Sequence, residues 1–142
     1  MKCLQTSPNN YTNSTAIGAN STFAASNVLI LGNSVNVGIG TTIPNSTLQD
    51  SGSVAFNIVS KTANYTLTSS DFTVIFNGTT LTATLPAAAG NNTGRLYVIV
   101  NDNATPLTTS TYTGIGGGTA TTVATGVSII IQSTGSVWHQ IK

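Results

Sequence analysis

Leu85-Pro86-Ala87-Ala88-Ala89-Gly90-Asn91-Asn92-Thr93-Gly94-Arg95-Leu96-Tyr97-Val98-Ile99-Val100-Asn101-Asp102 decides how this chain folds. The stretch reads as the end of one strand, a loop punctuated by proline and glycine, and then a second strand. Leu96 to Val100 is apolar at every position. A strand with one wet face alternates apolar and polar residues, whereas one covered on both sides runs solid. Both faces of this strand are therefore expected to be covered, with the neighbouring segments recruited to cover them. Arg95, at the strand start, is expected to pair with Asp71 or Asp102 or to cap a neighbouring chain, with ligand contact as the alternative.

Composition agrees with an all-β chain. Thr, Ser and Asn supply 56 of the 142 residues, there is no glutamate, and lysine and arginine together number only 4. Helices draw on the residues that are scarce here, while Thr and Val suit strands and Asn, Ser and Gly suit turns. Charged residues make up 5% of the chain, against about 25% in ordinary globular proteins. Solubility must then rest on hydroxyls and amides. A net charge of +1 from scattered bases gives no clustered footprint for nucleic acid. No run approaches the ~18 apolar residues of a membrane-spanning helix. Met1 to Gln5 leads into no apolar run, so no signal peptide is expected and synthesis is assigned to a cytoplasm. Cys3, the single cysteine, has no internal partner and reads as a free terminal thiol.

Three segments follow from the patterning. Residues 1–15 hold little that is apolar beyond Leu4 and Tyr11, and are expected to stay disordered until docked on a partner, as an extended attachment arm. Residues 16–61 form a repeat and a junction. Ala16-Ile17-Gly18-Ala19-Asn20-Ser21 recurs as Ile30-Leu31-Gly32-Asn33-Ser34, with the glycines 14 residues apart, and Val37-Gly38-Ile39-Gly40 is a third version. Short units with an apolar residue before a glycine suit stacked β coils, each burying its apolar face on the next. Residues 62–142 make the head. Asn77-Gly78 after Phe76 signals a two-residue hairpin, which would set Phe72, Val74 and Phe76 across from Leu81, Ala83 and Leu85. Val127–Gln132 and Val137–Ile141 make a second hairpin around Ser133–Ser136. Phe72, Val74, Leu96, Val98, Val100, Ile129 and Ile131 are the expected core. That core is thin for its length, and an oligomer interface would make up the shortfall.

These residues resemble known families. Asn36-Val37-Gly38-Ile39-Gly40-Thr41-Thr42-Ile43-Pro44 resembles a motif of bacteriophage tail-fibre proteins, and the Ile-Gly units are similar to head repeats of trimeric autotransporter adhesins. Residues 62–142 resemble, from Tyr65-Thr66-Leu67 to Val137-Trp138-His139, a small β domain of phage tail fibres and related virion proteins. The resemblance implies a homotrimeric virion protein with three parts: an N-terminal arm attached to other virion proteins, a short trimeric β-repeat stalk and a C-terminal antiparallel β-sandwich or barrel-like head. It does not say whether such a fibre stands on the capsid or on the tail.

Catalytic chemistry is not expected. His139, the only histidine, lies beside Trp138 in a predicted strand, and no serine occupies a nucleophile elbow. Asp50, Asp71 and Asp102 are the only acids, which disfavours a glycosidase pair and a calcium cage of six to eight oxygens. Gly114-Ile115-Gly116-Gly117-Gly118 lacks the lysine and helix of a phosphate loop. No metal and no cofactor is expected. The remaining opening is recognition by loops at Ala87–Thr93, Asn103–Gly118 and Ser133–Ser136. Among them Tyr112 is singled out as an aromatic that would stack on a host-surface glycan.

Overall fold

A computed structural model describes residues 11–18, 21–32 and 34–142. Most of the expected arm, and Cys3 with it, lies outside the described residues. The chain divides into two compact units, Met1–Val54 and Ala55–Lys142. Residues 55–61, read from the sequence as junction, thus fall with the second unit.

The first unit is built from two small parallel pairs. Strand β1 (Thr15–Ile17) lies beside β2 (Leu29–Leu31), with Ala16 opposite Ile30 and Ile17 opposite Leu31. This offset is the 14-residue spacing of the sequence repeat, so the repeat is a coil that stacks on itself. Asn13 and Asn27 carry the same offset into a side-chain bond of 3.1 Å. Strand β3 (Val37–Ile39) pairs with β4 (Leu48–Asp50), also in parallel. Between the strands, turns are held by short polar links such as Ser21 Oγ to the Ile17 carbonyl and Asn45 N–H to Gln49 Oε1.

The second unit holds one nine-stranded sheet. Its strands are β5 (Ile58–Lys61), β6 (Tyr65–Thr66), β7 (Thr73–Phe76), β8 (Thr82–Thr84), β9 (Leu96–Asn101), β10 (Leu107–Thr113), β11 (Thr119–Val123), β12 (Ser128–Ser133) and β13 (Trp138–Gln140). The hydrogen-bonded order is β5-β7-β9-β12-β13-β10-β8-β6, with β11 on the side of β10. Strands β5 and β6 end this path, yet only residues 62–64 separate them in the chain. The sheet therefore curls into a nearly closed, barrel-like form, and Lys61 Nζ sits 3.7 Å from the Tyr65 ring where its ends meet.

The expected antiparallel head is corrected by this topology. Five of its eight strand pairings are parallel and three are antiparallel. The chain winds alternately through two facing halves, so β5, β7 and β9 line one half and β6, β8 and β10 the other. Each strand pairs with the one from the previous turn, which runs the same way.

The Asn77-Gly78 hairpin is a second correction. Neither residue has positive φ; the left-handed residue in this turn is Thr80, at φ 52°. The Asn77 N–H donates to the Lys61 carbonyl and the Gly78 N–H to Asn103 Oδ1, which carries the chain past β7. Leu81, Ala83 and Leu85 share the core with Val74 and Phe76, but β8 and β7 belong to different halves of the sheet and do not pair. The Ser133–Ser136 hairpin forms as expected, with Ser133 opposite Trp138 and Gly135 at φ 89°.

The core gathers Leu67, Val74, Phe76, Tyr97, Ile99, Leu107, Ile129, Ile131 and Trp138. In β9 the buried set is Tyr97, Ile99 and Asn101, while Leu96, Val98 and Val100 are half-buried on the outer face. The expected core had these two sets reversed. A strand apolar at every position carries no alternation to say which face turns inward.

Candidate functional site

The acids and bases are dispersed. Asp71, 5% exposed, closes the turn before β7 by accepting from the Thr68 N–H at 2.7 Å, the Thr68 hydroxyl at 2.9 Å and the Tyr65 hydroxyl at 3.0 Å. Arg95 reaches this turn without pairing with the carboxylate: its Nη1 donates to the Ser69 carbonyl at 2.6 Å. Asp102 is exposed at the end of β9. His139 stands in β13 opposite Gln132 and Thr113. Among the described residues no three His, Cys, Asp or Glu side chains gather to hold a metal, and no helix is long and apolar enough to cross a membrane. The Gly114–Gly118 segment is the tight turn of the β10–β11 hairpin, closed by the Gly114 N–H on the Gly118 carbonyl.

Tyr112 is not on a loop. Residues 107–113 form β10, where Tyr112 is 4% exposed and its hydroxyl donates to the Thr122 carbonyl at 2.9 Å. The run Thr108-Thr109-Ser110-Thr111 looked like loop because its composition matches that of the turns. Burial raises the pKa of the Tyr112 phenol above its ordinary value.

The ring nevertheless borders a cleft of about 430 Å³ between the chain after β8, strand β10 and the start of β13. Its apolar side comes from Pro86, Val137 and Trp138, and its hydroxyls from Ser110, Thr111 and Ser136. Trp138 is fixed by its indole N–H on the Pro86 carbonyl at 2.7 Å and by the Tyr97 ring 5.1 Å away. Ser110 is fixed as acceptor of the Leu85 N–H. The cleft has no charged lining; it offers apolar surface, chiefly from the exposed Val137, with hydroxyls beside it.

Sequence reasoning missed a buried asparagine pair at one end of the head. Asn101 donates to the Thr105 and Val123 carbonyls and accepts from the Asn103 N–H, and Asn103 accepts from Gly78. The pair fixes the chain between β9 and β10 from the inside, where backbone groups would otherwise lack partners. No local signal announced it, because β9 is apolar on both faces up to Val100 and gives no alternation to turn Asn101 inward.

The larger surface features are apolar. In the first unit, Ala16 and Phe23 are the buried hydrophobic residues among those described, while Ile17, Leu29, Leu31, Val35, Ile39, Ile43, Leu48 and Val54 are exposed. Ile43 reaches 85% and Leu48 66%. In the second unit, the two outer faces of the sheet differ. Strands β6, β8 and β10 present Thr66, Thr82, Thr84 and Thr108, whereas β5, β7, β9 and β12 present Ile58, Ile75, Val98, Val100 and Ile130. No family model matches the chain, and no curated protein or solved structure matches it.

Proposed function

We propose that the chain is a structural fibre protein of a tailed-bacteriophage virion, a head fibre or capsid decoration or a tail fibre. In this reading it is homotrimeric, made in the host cytoplasm and held to other virion proteins by its N-terminal arm. It works without enzymatic activity, cofactor, nucleic acid or membrane. The observation that carries the reading is the inverted first unit, with eight large apolar side chains outside and two apolar residues inside among its described residues. Burying one such side chain stabilises by roughly 1.5–3 kcal/mol, so a unit built this way gains its stability from the chains that cover it. Coils repeating every 14 residues, each with Ile or Leu outermost, suit a three-fold bundle in which those residues meet their copies. Sedimentation equilibrium of the purified chain is expected to give three times the 14.4 kDa chain mass. A folded monomer overturns the reading. Gold-labelled antibody on intact particles then assigns the fibre to capsid or tail.

The cleft favours a second reading, a receptor-binding tip that recognises a host-surface glycan. The exposed hydroxyls of Thr111 and Ser136 beside the apolar surface of Val137 fit a sugar's mixed polar and apolar faces, while the Trp138 and Tyr112 rings are buried. Thr111 and Ser136 are exposed at the cleft, so Thr111→Arg and Ser136→Arg block it without touching the core. Loss of cell binding in both variants supports this reading, and binding equal to the native chain rejects it.

A further inference from the structure

The apolar outer face of the head runs in register across its strands. Ile58 lies beside Thr73, Thr73 beside Val98, and Val98 beside Ile130. Ile141 continues the row through its N–H on the Ile130 carbonyl. A second row is Ser60, Ile75, Val100 and Ser128. At the rim, Phe56 stacks on Phe72 with ring centroids 4.1 Å apart and is still 59% exposed. Ile58 is 62% exposed and Ile141 53%. On β5, β7, β9 and β12 the positions that alternate with the core residues carry no charge at all.

We infer that this face is the head's copy–copy interface, turned toward the symmetry axis, with the threonine face of β6, β8 and β10 turned to solvent. The inference rests on the fibre reading and adds to it where in the head the chains meet. Three physical points select a second copy of this chain as the occupant. An uncharged face approaches its own copy without the repulsion that like charges would impose. A partner of different composition would be expected to meet some charge complementarity here, and none is offered. The third point is area.

A fully buried side chain of this class corresponds to roughly 60–120 Å² at about 25 cal/mol per Å². Nine such side chains (the apolar members of the rows above, Leu96 and the two rim phenylalanines), three of them more than half exposed and six largely covered already, leave about 200–350 Å² of apolar surface. An ordinary stable interface takes about 800 Å² from each partner, of which roughly 57–65%, about 450–520 Å², is apolar. The face supplies about half of that, too little to hold chains together alone. It fits a copy whose association also uses the exposed rows of the first unit.

The test is a set of distances in the full chain. In a Cys3→Ser background, a spin label is placed through Ser128→Cys or Ser60→Cys on the apolar face, or through Thr84→Cys on the threonine face. Packed sheets stand about 10 Å apart, so in a three-fold arrangement Thr84 pairs are expected to be longer than Ser128 pairs by about 17 Å. Ser60 is expected to follow Ser128, which guards against one label that disturbs its own site. An oligomer with equal distances, or with Thr84 pairs the shorter, overturns this interface and leaves the fibre reading standing. A folded monomer overturns both.

Discussion

Gly18 and Gly32 lie stacked on consecutive turns of the first unit: a methyl group built on Gly18 would stand 3.3 Å from the Gly32 Cα. Gly18 also has φ +112°, a conformation that side chains rarely adopt. The fourteen-residue repeat of glycine thus records a close backbone approach as well as a turn. Gly18→Ala is expected to destabilise the β1–β2 pair by about 1–2 kcal/mol or more. Hydrogen exchange should report it as lost protection across residues 15–31, with the strands of the second unit unchanged. Unchanged protection at Ile17 and Leu31 would show that the stacking is not needed.

Asp71 accepts from three donors, the Thr68 N–H, the Thr68 hydroxyl and the Tyr65 hydroxyl. Asp71→Ala removes all of these bonds and leaves donors in a part-buried turn, at an expected cost of about 3 kcal/mol. Asp71→Asn keeps one carbonyl oxygen for the Thr68 N–H and should cost less. Urea unfolding followed by circular dichroism distinguishes the two variants. Equal midpoints for both would mean that the acceptor geometry contributes little.

Thr80 holds φ 52°, which is costly for a β-branched residue. Asn tolerates this region through its short polar side chain. Thr80→Asn is therefore expected to raise stability by about 1 kcal/mol, since the exchange relieves strain. The Thr80 N–H bond to Thr105 Oγ1 is a backbone donation and survives the change. A fall in the thermal midpoint would count against strain at this residue.

The parts of the fold that were legible in the sequence are those with a period or a local turn. The glycine spacing matched the β1–β2 register, and Ser133–Ser136 marked the β12–β13 hairpin. What could not be read is long-range. Asn77-Gly78 has the residues of a tight hairpin, but β7 is claimed by β5 and β9 from other turns of the winding. A threonine-rich strand such as β10 looks like loop until its partners β8, β11 and β13 are known. Tyr112 was legible as an aromatic and illegible as a buried one. Its hydroxyl bond reaches Thr122 on the following strand, a partner that no local pattern announces. The apolar outer faces were visible only as a shortage of core.

Alkaline pH acts on the fold through Tyr97 and Tyr112. Both phenols have pKa values raised above the ordinary 10.0 by burial. For Tyr97 the positive Arg95 works in the opposite direction, and Asp71 and Tyr65 add to the rise. A group whose folded pKa lies above its unfolded one holds its proton more tightly in the folded state. The associated stability is complete below the unfolded value of about 10 and is lost as pH climbs through the folded value. Ionisation also ends two donations, from Tyr97 to the Thr68 carbonyl at 2.8 Å and from Tyr112 to the Thr122 carbonyl at 2.9 Å. Unfolding midpoints are thus expected to show no pH dependence from these two groups between pH 8 and about pH 9.5, then to fall steeply above about pH 10. Tyr97→Phe and Tyr112→Phe each lose one hydrogen bond, so both start from a lower midpoint at pH 8, by about 1 kcal/mol. Each should then decline less steeply above pH 10 than the native chain, because one group no longer titrates. The comparison needs only denaturation curves at a series of pH values for three proteins. Parallel declines in all three would show that neither phenol is linked to folding, and that the alkaline limit is set elsewhere in the molecule.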